Sequence, residues 1–187
     1  MANTRFIMKN ISNALTLIGM PTSGKSTIGK ILAKKLGWDF VDLDDLIKEK
    51  TGISYDEILE QDGEEKLMEL ENKFTLELDF SAYDGSPVGR ENSKGIIFSP
   101  GGSIIYSPEA IEKIKNETRV IYIELPFHEI EKRLKERSIK GGIVGLKEKG
   151  LEKLFEERSL AYIKIADDII KADSLNEIDL SELILRL

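Results

Sequence analysis

The chain has 187 residues, 41% of them hydrophobic and 33% charged, which is the composition of one globular domain with a real core and not of a disordered tail or a membrane protein. Acidic residues outnumber basic ones by 34 to 27, for a net charge of −7, so nucleic acid and anionic membrane are not expected as partners. Cysteine is absent and histidine occurs once, at His128, which excludes disulfides, thiolate catalysis and a multi-histidine metal site within one chain.

Residues 1–12 are weakly patterned and read as a lead-in. Ala14 to Ile18 reads as a short buried strand ended by Gly19, and residues 24–36 as a helix with Ile28, Ile31, Leu32 and Leu36 at helical spacing. Gly37 caps that helix. Asp39 to Leu43 forms a second strand. Asp44 to about Leu78 is helical and strongly charged, with breaks at Thr51-Gly52 and Asp62-Gly63. Residues 79–94, with Asp84-Gly85-Ser86-Pro87, have loop composition and read as an insertion. A third strand follows at Gly95 to Phe98, a helix at Pro108 to Lys115, a strand at Val120 to Ile123 and a helix from Pro126 to about Arg137. The glycine-rich segment 138–150 reads as a mobile lid. A helix from Leu151, a strand around Asp167-Asp168-Ile169-Ile170 and a C-terminal helix complete the chain.

Strands alternating with helices predict an α/β fold: a parallel sheet covered on both faces, with ligands beyond the carboxyl ends of the strands. The loops after Ile18, Val41, Phe98 and Ile123 are then the ones that matter. No apolar stretch reaches the roughly 18 residues of a membrane span, and no leader is visible. A single domain over 1–187, monomeric and cytoplasmic, is expected.

The first of those loops reads Gly19-Met20-Pro21-Thr22-Ser23-Gly24-Lys25-Ser26-Thr27, a match to G-x-x-x-x-G-K-[ST] in its required place between strand and helix. Backbone N–H groups of this loop, together with the partial positive charge of the helix N-terminus, bind phosphate. Lys25 reaches the terminal phosphates of ATP, and the Ser26 hydroxyl holds Mg²⁺. The second strand ends in Phe40-Val41-Asp42-Leu43-Asp44, where strand alternation would point both carboxylates the same way, toward the phosphate loop.

With these stretches, and with Asp45-Leu46-Ile47-Lys48-Glu49-Lys50-Thr51-Gly52, Gly63-Glu64-Glu65, Pro100-Gly101-Gly102 and Glu157-Arg158-Ser159-Leu160-Ala161-Tyr162, the chain resembles the shikimate kinase family. The resemblance runs from about Asn13 to the C-terminus, interrupted at 79–94. It implies a three-layer α/β/α P-loop kinase fold on a five-stranded parallel sheet, and transfer of the γ-phosphate of ATP to the 3-hydroxyl of shikimate, within aromatic amino acid biosynthesis. It also implies the residue roles. Asp42 stands near Mg²⁺, and Asp44 binds the substrate hydroxyls and is the candidate base. Gly101 and Gly102 approach the substrate, Arg158 grips its carboxylate and Arg133 packs on adenine. Lys140 stands nearest to the family's lid arginine, with Arg137 as the other candidate.

Three positions depart from the family pattern: Met68 replaces a second carboxylate-binding arginine, Ser103 the third glycine of the turn, and Lys140 the lid arginine. These leave open a kinase for another small hydroxylated metabolite, or a nucleotide-binding module without turnover. Lys66 and Arg90 are candidates to compensate for Met68. His128 is expected to face solvent and Trp38 to pack beside the second strand. Tyr83 and Tyr106 sit near the substrate side. Glu64, Glu65, Glu69 and Glu71 are expected to form a solvated helix face.

Overall fold

The computed structural model describes residues 13–80, 94–137 and 142–172, with only the backbone of Arg137. The lead-in over 1–12, Tyr83 and Arg90 of the insertion, Lys140 and the expected C-terminal helix lie outside the described residues.

The strands are β1 (Ala14–Ile18), β2 (Asp39–Asp42), β3 (Ile96–Ser99), β4 (Arg119–Glu124) and β5 (Asp168–Lys171). They pair in parallel as one five-stranded sheet in the order β2-β3-β1-β4-β5. The helices between them are α1 (Lys25–Leu36), α2 (Leu43–Thr51), α3 (Tyr55–Gln61), α4 (Gly63–Glu77), α5 (Pro108–Glu117), α6 (Phe127–Arg137), α7 (Leu146–Lys149) and α8 (Leu151–Ile165).

β1 is buried along its whole length, which is why it reads as a near-continuous apolar run and not as an alternating one. Leu15 and Leu17 face one way and, with Ile97, Ile121 and Ile123, pack beneath Ile28, Leu32 and Ala33 of α1. Trp38 joins that cluster, as expected. Ala14 and Ile18 face the other way, into a larger core completed by Leu43 and Ile47 of α2, Leu67 and Phe74 of α4, Ile114 of α5 and Tyr162 of α8. The sheet is thus covered on both faces. The chain runs from β1 to the edge strand β2, returns to β3 beside β1, and then crosses to β4 on the other side, so a crevice opens at the carboxyl ends of β1 and β3.

One local reading changes. The second strand ends at Asp42 and not at Leu43, because Asp42 is the N-cap of α2: its carboxylate accepts the Asp44 N–H at 3.1 Å. The helical stretch 44–78 is broken where expected, at Thr51-Gly52 and Asp62-Gly63, into three helices, with Gly52 at φ +77° and Gly63 at φ +87°. Within segment 138–150, residues 146–149 form the one-turn helix α7, and the Gly145 N–H donates to both Glu64 carboxylate oxygens at 2.9 Å.

Candidate active site

The loop between β1 and α1 curls around its own lysine. Lys25 is buried, and its Nζ donates to the carbonyls of Gly19 and Met20, each at 3.0 Å. The turn is closed by Ser23 N–H donating to Met20 O at 3.1 Å, with Thr22 at φ +65° and Gly24 at φ +102°; Gly24 adopts that conformation without steric cost. The buried hydroxyls of Thr22 and Ser23 have no partner within the protein. Thr27 sits on the exposed outer side of the first turn of α1. Burial lowers the pKa of Lys25 to about 8, against the opposing pull of Asp44 and Asp42.

Ser26 Oγ donates to Asp42 Oδ2 at 2.6 Å, which ties the first turn of α1 to the end of β2. Asp44 stands in the first turn of α2. It is therefore the capping turn, not strand alternation, that brings both carboxylates to the phosphate loop. Asp44 is walled in by protein yet reachable by water across the open cleft. Burial, and then the charge of Asp42, push it up to about 7, while Lys25 pulls it down.

These groups surround one cavity of about 290 Å³, which Pro21, Thr22, Lys25, Ser26, Asp42 and Asp44 line on the phosphate side. Tyr55, Gly101, Gly102 and Arg158 complete its lining, with Gly102 close to Pro21. Gly101 and Gly102 are needed where they are. A Cβ on Gly101 would run into Glu71 Oε1, and one on Gly102 would lie 2.9 Å from Arg158 Nη1. Arg158 rises from α8 and is 1% exposed. Its Nη2 donates to Val144 O at 2.8 Å, its guanidinium lies 5.4 Å from the centre of the Tyr106 ring, and its buried Nε has no partner within the protein. Tyr162, one turn further along α8, donates its hydroxyl to Gly102 O at 2.7 Å and holds the turn against the helix.

Arg133 donates Nη1 to Thr22 O at 3.1 Å, which places it on the outer edge of the phosphate loop. His128 is exposed, its Nε2 3.7 Å from Glu129. Among the described residues no group of three or more His, Asp or Glu side chains converges as a metal cage. Ser26 and Asp42 instead offer two hard oxygens beside the phosphate loop, a donor set that suits Mg²⁺, which takes one or two protein oxygens together with phosphate oxygens and water.

A family model described as shikimate kinase matches residues 21–187. The chain belongs to the shikimate kinase family. It is similar to the shikimate kinase of Sulfurihydrogenibium sp., at 35% identity over 166 residues and 89% of each chain. It is similar to that of Francisella tularensis subsp. novicida at 31% identity over 158 residues and 84% of each chain. Among solved structures it resembles shikimate kinase from Acinetobacter baumannii in complex with shikimate, with a TM-score of 0.74 and 25% identity over 95% of this chain and 93% of that one. Shikimate kinase from Aquifex aeolicus matches with a TM-score of 0.69 and 27% identity, covering 92% and 94%. As a member of the shikimate kinase family, the protein is an ATP-dependent phosphotransferase.

The surroundings of the departures differ from expectation. Met68 does not line the 290 Å³ cavity; it faces a separate cleft with Glu64, Tyr106 and Val144. Lys66 is exposed and pairs with Glu69 at 2.9 Å, so it does not stand in for an arginine at 68. Glu71 corrects the solvated-face reading, for it is wholly buried. Both its oxygens lie within hydrogen-bond distance of Ser103 Oγ, at 2.8 and 2.7 Å. Tyr55, which sequence reasoning missed, lines the cavity with its hydroxyl 3.5 Å from Ser103 Oγ. A trace of Glu71 was present in the sequence: it falls on the stripe of α4 shared by Leu67 and Phe74.

Proposed function

We propose that this shikimate kinase family protein carries the γ-phosphoryl group of ATP to the 3-hydroxyl of shikimate. The observation that carries the reading is one cavity lined together by a phosphate loop with Lys25, Ser26 and Asp42, by the carboxylate of Asp44 and by the buried Arg158.

The loop from Gly19 to Thr27 and Lys25 hold the phosphates, and Arg133 borders the nucleotide beside Thr22. Ser26 and Asp42 would hold Mg²⁺, which when bound would offset the charge of the phosphates. Arg158, with Gly101 and Gly102, orients the acceptor through its carboxylate, since a planar guanidinium suits that group. Asp44 accepts a hydrogen bond from the acceptor hydroxyl and takes its proton as the new O–P bond forms. The bond from γ-phosphorus to the bridging oxygen breaks, and ADP leaves. Lys25 remains with the phosphates throughout. On this reading the protein is a monomer serving aromatic amino acid biosynthesis in the cytoplasm.

A coupled ADP-release assay on a panel of polyols and hydroxy acids tests the reading. Turnover of shikimate above the rest of the panel is expected. Silence with shikimate at millimolar concentration, alongside turnover of another compound, would overturn it.

A further inference from the structure

The mechanism above leaves the contact between Ser103 and Glu71 unused. Both residues are buried, Glu71 fully and Ser103 at 1% exposed, and Ser103 Oγ sits between the two carboxylate oxygens at 2.8 and 2.7 Å. Only the turn at Gly101 and Gly102 separates this pair from Arg158. Gly101 abuts Glu71 Oε1 on one side, and Gly102 abuts Arg158 Nη1 on the other. A buried carboxylate and a buried guanidinium attract each other, and a direct fork would satisfy both. It does not form here. Arg158 is turned to Val144 O and the Tyr106 ring and keeps an unpartnered Nε, while Glu71 is turned to the Ser103 hydroxyl. Met68, one helical turn before Glu71 on α4, brings no cation that would occupy the carboxylate instead.

We propose that Ser103 is a positioning residue: its hydroxyl holds Glu71 off Arg158, so that the guanidinium stays available to the carboxylate of the acceptor. This rests on the acceptor being shikimate. Without the hydroxyl, nothing ties Glu71 to its own side of the Gly101-Gly102 turn, and its charge competes with the substrate for Arg158. The effect therefore falls on acceptor binding and not on ATP.

The test is steady-state kinetics of the full chain with shikimate and MgATP, varied in turn. Ser103→Ala should raise KM for shikimate about tenfold, the scale of one charge-assisted contact, with KM for MgATP unchanged. Adding Glu71→Gln should return KM to the wild-type value, which a merely structural role for Ser103 would not produce. Glu71→Gln alone, nearly isosteric, should leave KM at or below wild type and keeps the test open if Ser103→Ala fails to fold. An unshifted KM in Ser103→Ala, a double variant that stays weak, or a raised KM in Glu71→Gln overturns the proposal while wild-type turnover leaves the functional reading standing. Absence of shikimate turnover in the wild type overturns both.

Discussion

The Ser26 hydroxyl donates to the Asp42 carboxylate at 2.6 Å and so binds the phosphate loop to the end of β2. Asp42 also caps α2 through the Asp44 N–H, so its charge and its cap can be separated by mutation. Asparagine caps as well as aspartate but carries no charge. Asp42→Asn is therefore expected to keep the melting temperature near wild type. The Mg²⁺ concentration for half-maximal rate should rise about tenfold or more. Rates titrated with Mg²⁺ at fixed ATP check this, and an unchanged midpoint would remove Asp42 from the metal site.

Asp44 and Lys25 set a pH window. Asp44, raised to about 7, must be ionised to accept the proton, so activity falls as pH drops through that value. Lys25, lowered to about 8, must be protonated to hold phosphate, so activity falls as pH climbs past it. A plot of kcat/KM for MgATP against pH, which reports groups of the free enzyme, should be bell-shaped with limbs near 7 and 8. In Asp44→Asn the acid limb should vanish and kcat should drop by about 10²- to 10⁴-fold.

Most of this machinery was legible because its cues are local. The phosphate loop needs glycines at fixed spacing between a strand and a helix, and β1 and β4 are buried on both faces, so both read straight from the chain. Asp42 and Asp44 were found for a reason the fold replaces: the capping turn, a geometry of three residues, does what alternation was expected to do. The pairing of Glu71 with Ser103 joins residues 32 apart. Nothing in α4 taken alone announces the partner of a carboxylate on its apolar stripe, and composition assigns a glutamate to the surface. Tyr55 escaped notice for the same reason, since only the packing of α3 and α4 brings it to the cavity.

Arg158→Lys keeps a positive charge in the cavity and removes the planar fork. The lysine also loses the donor that Arg158 presents to Val144 O at 2.8 Å. KM for shikimate should rise by about 10- to 150-fold, while KM for MgATP stays put. Initial rates with each substrate varied in turn decide it. Equal rises in both constants would mean that Arg158 supports the cavity as a whole and does not read the acceptor.

Glu71 makes stability depend on pH. Burial raises its carboxyl from 4.5 to about 7, with Asp44 adding to the rise and Ser103, Arg158 and Lys25 opposing it. A carboxyl raised in the folded state favours folding fully below its unfolded pKa and loses that advantage as pH rises through the folded value. The wild type should therefore lose stability between about 4.5 and 7 through this group, by on the order of 3 kcal/mol. Glu71→Gln has no such proton to lose. The difference in unfolding free energy between variant and wild type, from urea titrations at several pH values, should shift in favour of the variant across that window and level off above it. A difference that does not vary with pH would mean that Glu71 keeps the same charge in the folded and unfolded chain.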